Sequence, residues 1–136
     1  MQLISTTEEK LTLLQACLDD GLPFFPAYGL ELSYDDAQYE EARASAAART
    51  GESEDEVCRE DIWGDIVRNG GDLVFIDNED GDAEVGRLNL SGMEHNWPRL
   101  MLEAPRSMAD YISGNYDANS IDNIFQVLLF GSIKYG

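Results

Sequence analysis

Apolar positions recur along the chain in short runs, and the period changes from run to run. Leu11, Leu14 and Leu18 fall on one face of a helix, with Leu13 and Cys17 beside it. Ser5-Thr6-Thr7-Glu8 reads as a capping box with Ser5 as the cap, and Gly21 as the helix stop. Pro23 to Gly29 reads as a loop whose aromatics Phe24, Phe25 and Tyr28 either form a contact patch or fold back onto the core, the second being the ordinary outcome. Leu30, Leu32 and Tyr34 then alternate as in a short strand.

Asp35 or Ser33 is placed to cap a second helix through Arg49, where Ala42 to Ala48 favours helix strongly and Gly51 breaks it. Ser53-Glu54-Asp55-Glu56 has the form of another capping box. It predicts a third helix ending at Asn69-Gly70-Gly71, with Val57, Cys58, Ile62, Ile66 and Val67 on its apolar face and Gly64 as an internal weak point. Leu73 to Ile76 is a short apolar strand, Asn78 to Asp82 a turn, and Ala83 to Leu90 the second arm of a hairpin. Pro98 opens a short helix that Pro105 ends, and a further helical piece runs from Ser107 to Ile112. The clearest helix follows Asp117, with Ile121, Ile124, Phe125, Leu128 and Leu129 at helical spacing and Gly131 as its end. Ile133 to Tyr135 reads as an edge strand.

These elements predict a single α+β domain over residues 1–136, with four or five helices packed on a small, mostly antiparallel sheet. The start of the chain, Met1 to Lys10, lacks the basic and apolar pattern of a signal peptide, and no apolar run approaches the ~20 residues that span a bilayer. The expectation is a cytoplasmic protein, with Cys17 and Cys58 as free buried thiols in a reducing compartment.

Charge changes the picture more than patterning does. There are 27 Asp and Glu against 9 Lys and Arg, a net charge of −18. Such a surface repels phosphate backbones and anionic headgroups, so neither direct nucleic-acid binding nor membrane binding is expected. The excess is concentrated: residues 51–86 carry thirteen acids and two bases. On a helix residues four apart are spaced about 6 Å along the axis, so Glu52, Glu56 and Glu60 form one row and Asp61 and Asp65 another. That spacing is on the scale of successive phosphates along a nucleic-acid strand.

Catalytic chemistry finds no footing. His95 is the one histidine, without a local motif around it, and no phosphate-binding glycine loop is present. Asp77-Asn78-Glu79-Asp80-Gly81-Asp82 imitates a calcium loop, but aligning Gly81 with the required glycine puts Ile76 at the first ligand position. A polar turn is the better reading, with weak divalent-cation binding as its alternative. No enzyme activity, cofactor or metal site is expected.

In size, acidity and lack of a catalytic set, the chain resembles the small acidic inhibitors of phages and mobile elements, among them anti-restriction and anti-CRISPR proteins that imitate nucleic acid. The resemblance is one of composition and spans no defined motif. With the charge distribution it implies a non-enzymatic protein that inhibits or regulates a nucleic-acid-binding protein. Glu52, Glu54, Asp55, Glu56, Glu60, Asp61 and Asp65, then Glu79, Asp80 and Asp82, are the candidate partner-binding residues, facing a basic protein surface. The alternative is a structural or assembly module, such as a homodimer formed through the apolar hairpin or the C-terminal edge, whose charge serves solubility or high-salt adaptation.

Overall fold

The computed structural model describes residues 6–136. Among them lie a three-stranded antiparallel sheet and six α-helices of seven or more residues, an α+β arrangement with slightly more helix than the sequence predicts. The elements are α1 (Thr7–Ala16), β1 (Leu30–Ser33), α2 (Asp36–Thr50), α3 (Arg59–Arg68), β2 (Leu73–Asp77), β3 (Ala83–Leu88), α4 (Leu90–Asn96), the single turn α5 (Leu100–Glu103), α6 (Pro105–Ser113) and α7 (Ala118–Phe130). The strand order is β1-β2-β3.

α7 is the centre of the core. Asp117 caps it by accepting from the Ser120 N–H at 2.9 Å, and Gly131 closes it at φ 83. Its apolar residues Ile121, Ile124, Phe125, Val127, Leu128 and Leu129 are all buried, and so are Asp122 and Gln126. A helix buried on nearly every side needs neighbours all round, and it contacts α4, α6, β3 and the segment after α1. Phe125 stacks on Phe25 at 4.8 Å and meets Phe75 edge-on at 5.9 Å, which fastens the sheet's inner face to the helix.

Several elements differ from expectation for local reasons. The α1 capping box is centred on Thr6, whose Oγ1 accepts from the Glu9 N–H at 3.2 Å; Ser5 lies outside the described residues. Gly21 does not stop the chain's helical path. It lies in a π turn, Cys17–Gly21, that leads into a 3-10 helix, Leu22–Tyr28, where a loop was expected. Gly21 is needed there for close packing, because a Cβ would sit 3.0 Å from Phe125 Cδ2. Phe25 does fold onto the core. The chain after β3 forms α4 rather than more strand, because the Asn89 side chain accepts from the Gly92 N–H at 2.7 Å and turns the backbone into a helix. Pro105 opens α6, its missing N–H harmless at a helix start.

The C-terminal residues 133–135 are not a strand. They are tied down by one side chain: Gln126 Oε1 accepts from the Lys134 and Tyr135 N–H groups, both at 2.8 Å, and its Nε2 donates to Tyr135 O at 3.0 Å. Beside it, Asp122 Oδ2 accepts from the Tyr28 hydroxyl at 2.6 Å and from Gln126 Nε2 at 3.1 Å. Asp122 Oδ1 is buried without a partner. Burial pushes the Asp122 carboxyl above its ordinary range, although both hydrogen bonds oppose the rise. Burial, with Asp122 beside it, pushes the Tyr28 hydroxyl up to about 12.

A raised carboxyl keeps its proton in the folded chain to a higher pH than in the unfolded one. Its contribution to stability therefore falls as pH rises from about 4 through the raised folded value. Asp122→Asn is expected to gain stability relative to the parent across that window. Denaturant unfolding of both proteins at several pH values checks it; a difference that does not change with pH contradicts it.

Candidate partner-binding surface

The third helix begins later than its sequence signature indicates. The N–H groups of Glu56 and Val57 both donate to Ser53 O at 3.1 Å, which closes a turn instead of a helix. Val57 is buried and holds this turn to the body of the protein. Cys58 then adopts an extended conformation, φ −75 and ψ 153, and α3 starts at Arg59. A helix continuing back to Glu52 would put Glu52, Glu56 and Glu60 in like-charge contact, at a few tenths of a kcal/mol per pair. The expected row of Glu52, Glu56 and Glu60 on one helix face is therefore absent.

In its place stands an exposed loop. Glu52, Glu54, Asp55 and Glu56 are all exposed and form no ion pair with any described residue. Glu60 and Asp61 follow in the first turn of α3, where the positive end of the helix dipole favours carboxylates. Asp61 Oδ2 accepts from the Cys58 thiol at 3.2 Å, and Glu60 is only loosely paired with Arg59 at 3.7 Å. Cys58 is exposed, contrary to expectation, because it serves as the extended cap and not as part of the apolar face; Cys17 is fully buried.

Two further acids, Asp19 and Asp20, join this end, although no local pattern marks them. Gln15 Nε2 donates both to Glu60 O at 3.1 Å and to Asp19 Oδ1 at 3.0 Å, which holds the end of α1 against the start of α3. Gly64 leaves room for the Gln15 amide in this position: a Cβ there would fall 2.3 Å from Gln15 Oε1, and the Gln15 side chain would have to swing aside. Asp19 and Asp20 are exposed and share the field of Glu60 and Asp61. Partial burial is the main cause that raises the Asp19 carboxyl; the Gln15 hydrogen bond opposes it, and the charges of Asp61, Asp20 and Glu60 add to the rise.

Asp65 does not belong to this surface. It is 3% exposed and bonds Arg49 through Nε at 2.8 Å and Nη2 at 2.7 Å, with the Ser45 hydroxyl at 2.8 Å. Arg68 Nε lies 4.0 Å away. Asp65 thus clips α2 to α3, and the expected Asp61–Asp65 row is not available to a partner. Asp65→Ala is expected to cost roughly 2–3 kcal/mol, below the 3–5 of a fully buried pair because the Arg49 side chain stays 34% exposed. Chemical denaturation measures this; a loss under about 1 kcal/mol contradicts the clip.

Glu79, Asp80 and Asp82 are exposed at the β2–β3 turn, where Asp77 O accepts from the N–H groups of Asp80 and Asp82. The turn sits beside Gly29, at the end of the sheet opposite the one that α2 and α3 join. No hydrogen bond or ion pair among the described residues links it to the Glu52–Glu56 loop. The ten predicted residues thus divide into an acidic end of the α2–α3 pair, a separate acidic turn, and one buried clip.

No group of three or more His, Cys, Asp or Glu side chains among the described residues is placed to hold a metal ion. His95 is exposed on α4. A cleft of about 350 Å³ between α1 and α4 is lined mainly by Leu11, Leu90 and Met93, with the Lys10–Glu94 ion pair at its edge. No described helix is long and apolar enough to cross a membrane. No protein-family model, curated protein or solved structure matches the chain.

Proposed function

We propose that the chain is a non-enzymatic binding protein that occupies the basic, nucleic-acid-binding face of another protein and thereby inhibits or regulates it. The observation that supports this most is the acidic end of the α2–α3 pair. Four exposed carboxylates lie within five residues, Glu52 to Glu56, with Glu60, Asp61, Asp19 and Asp20 close by; Arg43 and Arg59 are bases beside them, and Arg49, in the last turn of α2, is engaged by Asp65. Carboxylates left unpaired in this way attract basic partners at a distance and suit bidentate contact with arginine. The imitation of nucleic acid is of charge density. It is not a helical row at phosphate spacing, since that row is broken between Glu56 and Glu60.

Affinity capture from a lysate of the source cell, run at low and high salt, tests the reading. The expected result is a nucleic-acid-binding protein retained at low salt, released at high salt and displaced by added DNA or RNA. Retention that neither salt nor nucleic acid disturbs is the contrary result.

A further inference from the structure

Three aromatic rings line one side of the α2–α3 pair, and two of them carry the chain's own arginines on their faces. Tyr34 and Tyr39 stack at 4.9 Å with planes 21° apart, and Trp63 tilts against Tyr34 at 6.5 Å. The Arg43 guanidinium lies 5.3 Å from the Tyr39 centroid and that of Arg59 lies 5.4 Å from the Trp63 centroid. All three rings are only partly buried. The strip borders the acidic loop: Arg43 Nη1 donates to Glu54 O at 3.4 Å, and Arg59 reaches Glu60 at 3.7 Å. Arg59 is loosely held, its side chain 71% exposed.

We propose that this strip is the anchoring centre of an interface whose rim is the acidic loop, and that an arginine of the partner replaces Arg59 over Trp63. The occupant is an arginine-rich segment of a basic protein. This names the partner chemistry of the surface proposed above and rests on that reading. The ring faces already bind guanidinium groups within the chain, so they suit an incoming one. Arginine satisfies both parts of the surface, because its planar group stacks on a ring and pairs with a carboxylate by two parallel hydrogen bonds; lysine does neither as well. Tyrosine, tryptophan and arginine are also the residues that concentrate binding energy at interface centres. Charge complementarity fixes the sign of the partner: Glu52, Glu54, Asp55 and Glu56 stand beside the strip without ion pairs among the described residues.

The test is calorimetric titration at low salt with an oligo-arginine peptide and an oligo-lysine peptide of equal length. The proteins compared are the parent, Arg59→Ala and Arg106→Ala. Arg106 is exposed on α6 and makes no ion pair among the described residues, so its removal changes the net charge equally without touching the strip. Oligo-arginine is expected to bind the parent more tightly than oligo-lysine. Arg59→Ala is expected to tighten oligo-arginine roughly two- to fivefold more than it tightens oligo-lysine, the size of one exposed cation–ring contact, because the uncovered Glu60 charge acts on both peptides alike while the freed Trp63 face favours guanidinium; Arg106→Ala should show no such difference. In a Trp97→Phe protein, where Trp63 is the remaining indole of the two in the sequence, its emission is expected to shift with oligo-arginine. Equal tightening of both peptides by Arg59→Ala, or weaker binding of oligo-arginine to it, overturns the anchoring role while leaving the acidic-loop reading in place. Failure of both peptides to bind the parent removes that reading as well.

Discussion

Phe125→Ala is expected to cost about 3–5 kcal/mol of unfolding free energy, the largest stability loss of any single truncation considered. Phe125 is 0% exposed, stacks on Phe25 and meets Phe75 edge-on, so one side chain joins α7, the 3-10 helix and the sheet. Its truncation removes transfer free energy and opens a cavity. Collapse is limited because Gly21 already lies against the ring and offers no side chain to fill the space. Denaturant unfolding should show a lower midpoint with an unchanged slope. A loss below about 2 kcal/mol would mean that the aromatic cluster does not hold sheet and helices together.

The second large effect is on binding. Changing Glu52, Glu54, Asp55 and Glu56 together to lysine is expected to weaken capture of the basic partner about tenfold to a hundredfold at low salt, with the difference shrinking as salt rises. Stability should stay within about 1 kcal/mol of the parent or rise, since these residues form no ion pairs with described residues and the net charge moves from −18 toward neutrality. Binding measured against salt concentration separates this from misfolding, which would abolish capture at every salt concentration and lower the denaturation midpoint.

The parts of the fold that were legible in the sequence are those with a cap, a period and a stop within one segment. α7 shows Asp117, five apolar residues at helical spacing and Gly131; α2 shows Asp35, an alanine-rich body and Gly51. The hairpin was legible from an apolar run, a polar turn and a returning arm. The start of α3 was not, because Ser53 to Glu56 carries the letters of a capping box while the burial of Val57 and the charge on its neighbours favour a turn. α4 was hidden because Leu88, Asn89 and Leu90 continue the alternation of β3, and only the Asn89 side chain's bond to Gly92 bends the chain away.

The candidate surface was legible in composition and not in geometry. The concentration of acids in the middle of the chain did mark an exposed loop. Asp65 looked like its neighbours, and its withdrawal depends on Arg49 and Ser45, 16 and 20 residues earlier. Asp19 and Asp20 join the surface through Gln15 and the space left by Gly64, a contact across 45 residues that no local pattern encodes. Gly64 was visible only as a weak point in a helix, whereas in the structure it leaves room for the Gln15 amide.

The most direct measurement compares two charge reversals in capture of the partner at low salt. One carries lysine at Glu52, Glu54, Asp55 and Glu56; the other carries lysine at Glu79, Asp80 and Asp82, on the β2–β3 turn. The predicted result is that the first loses the partner while the second retains it with a change of only a few-fold, as expected for loss of long-range attraction alone. Equal losses from both would show that overall charge, and no particular surface, governs association, and would contradict the assignment of binding to the acidic end of the α2–α3 pair.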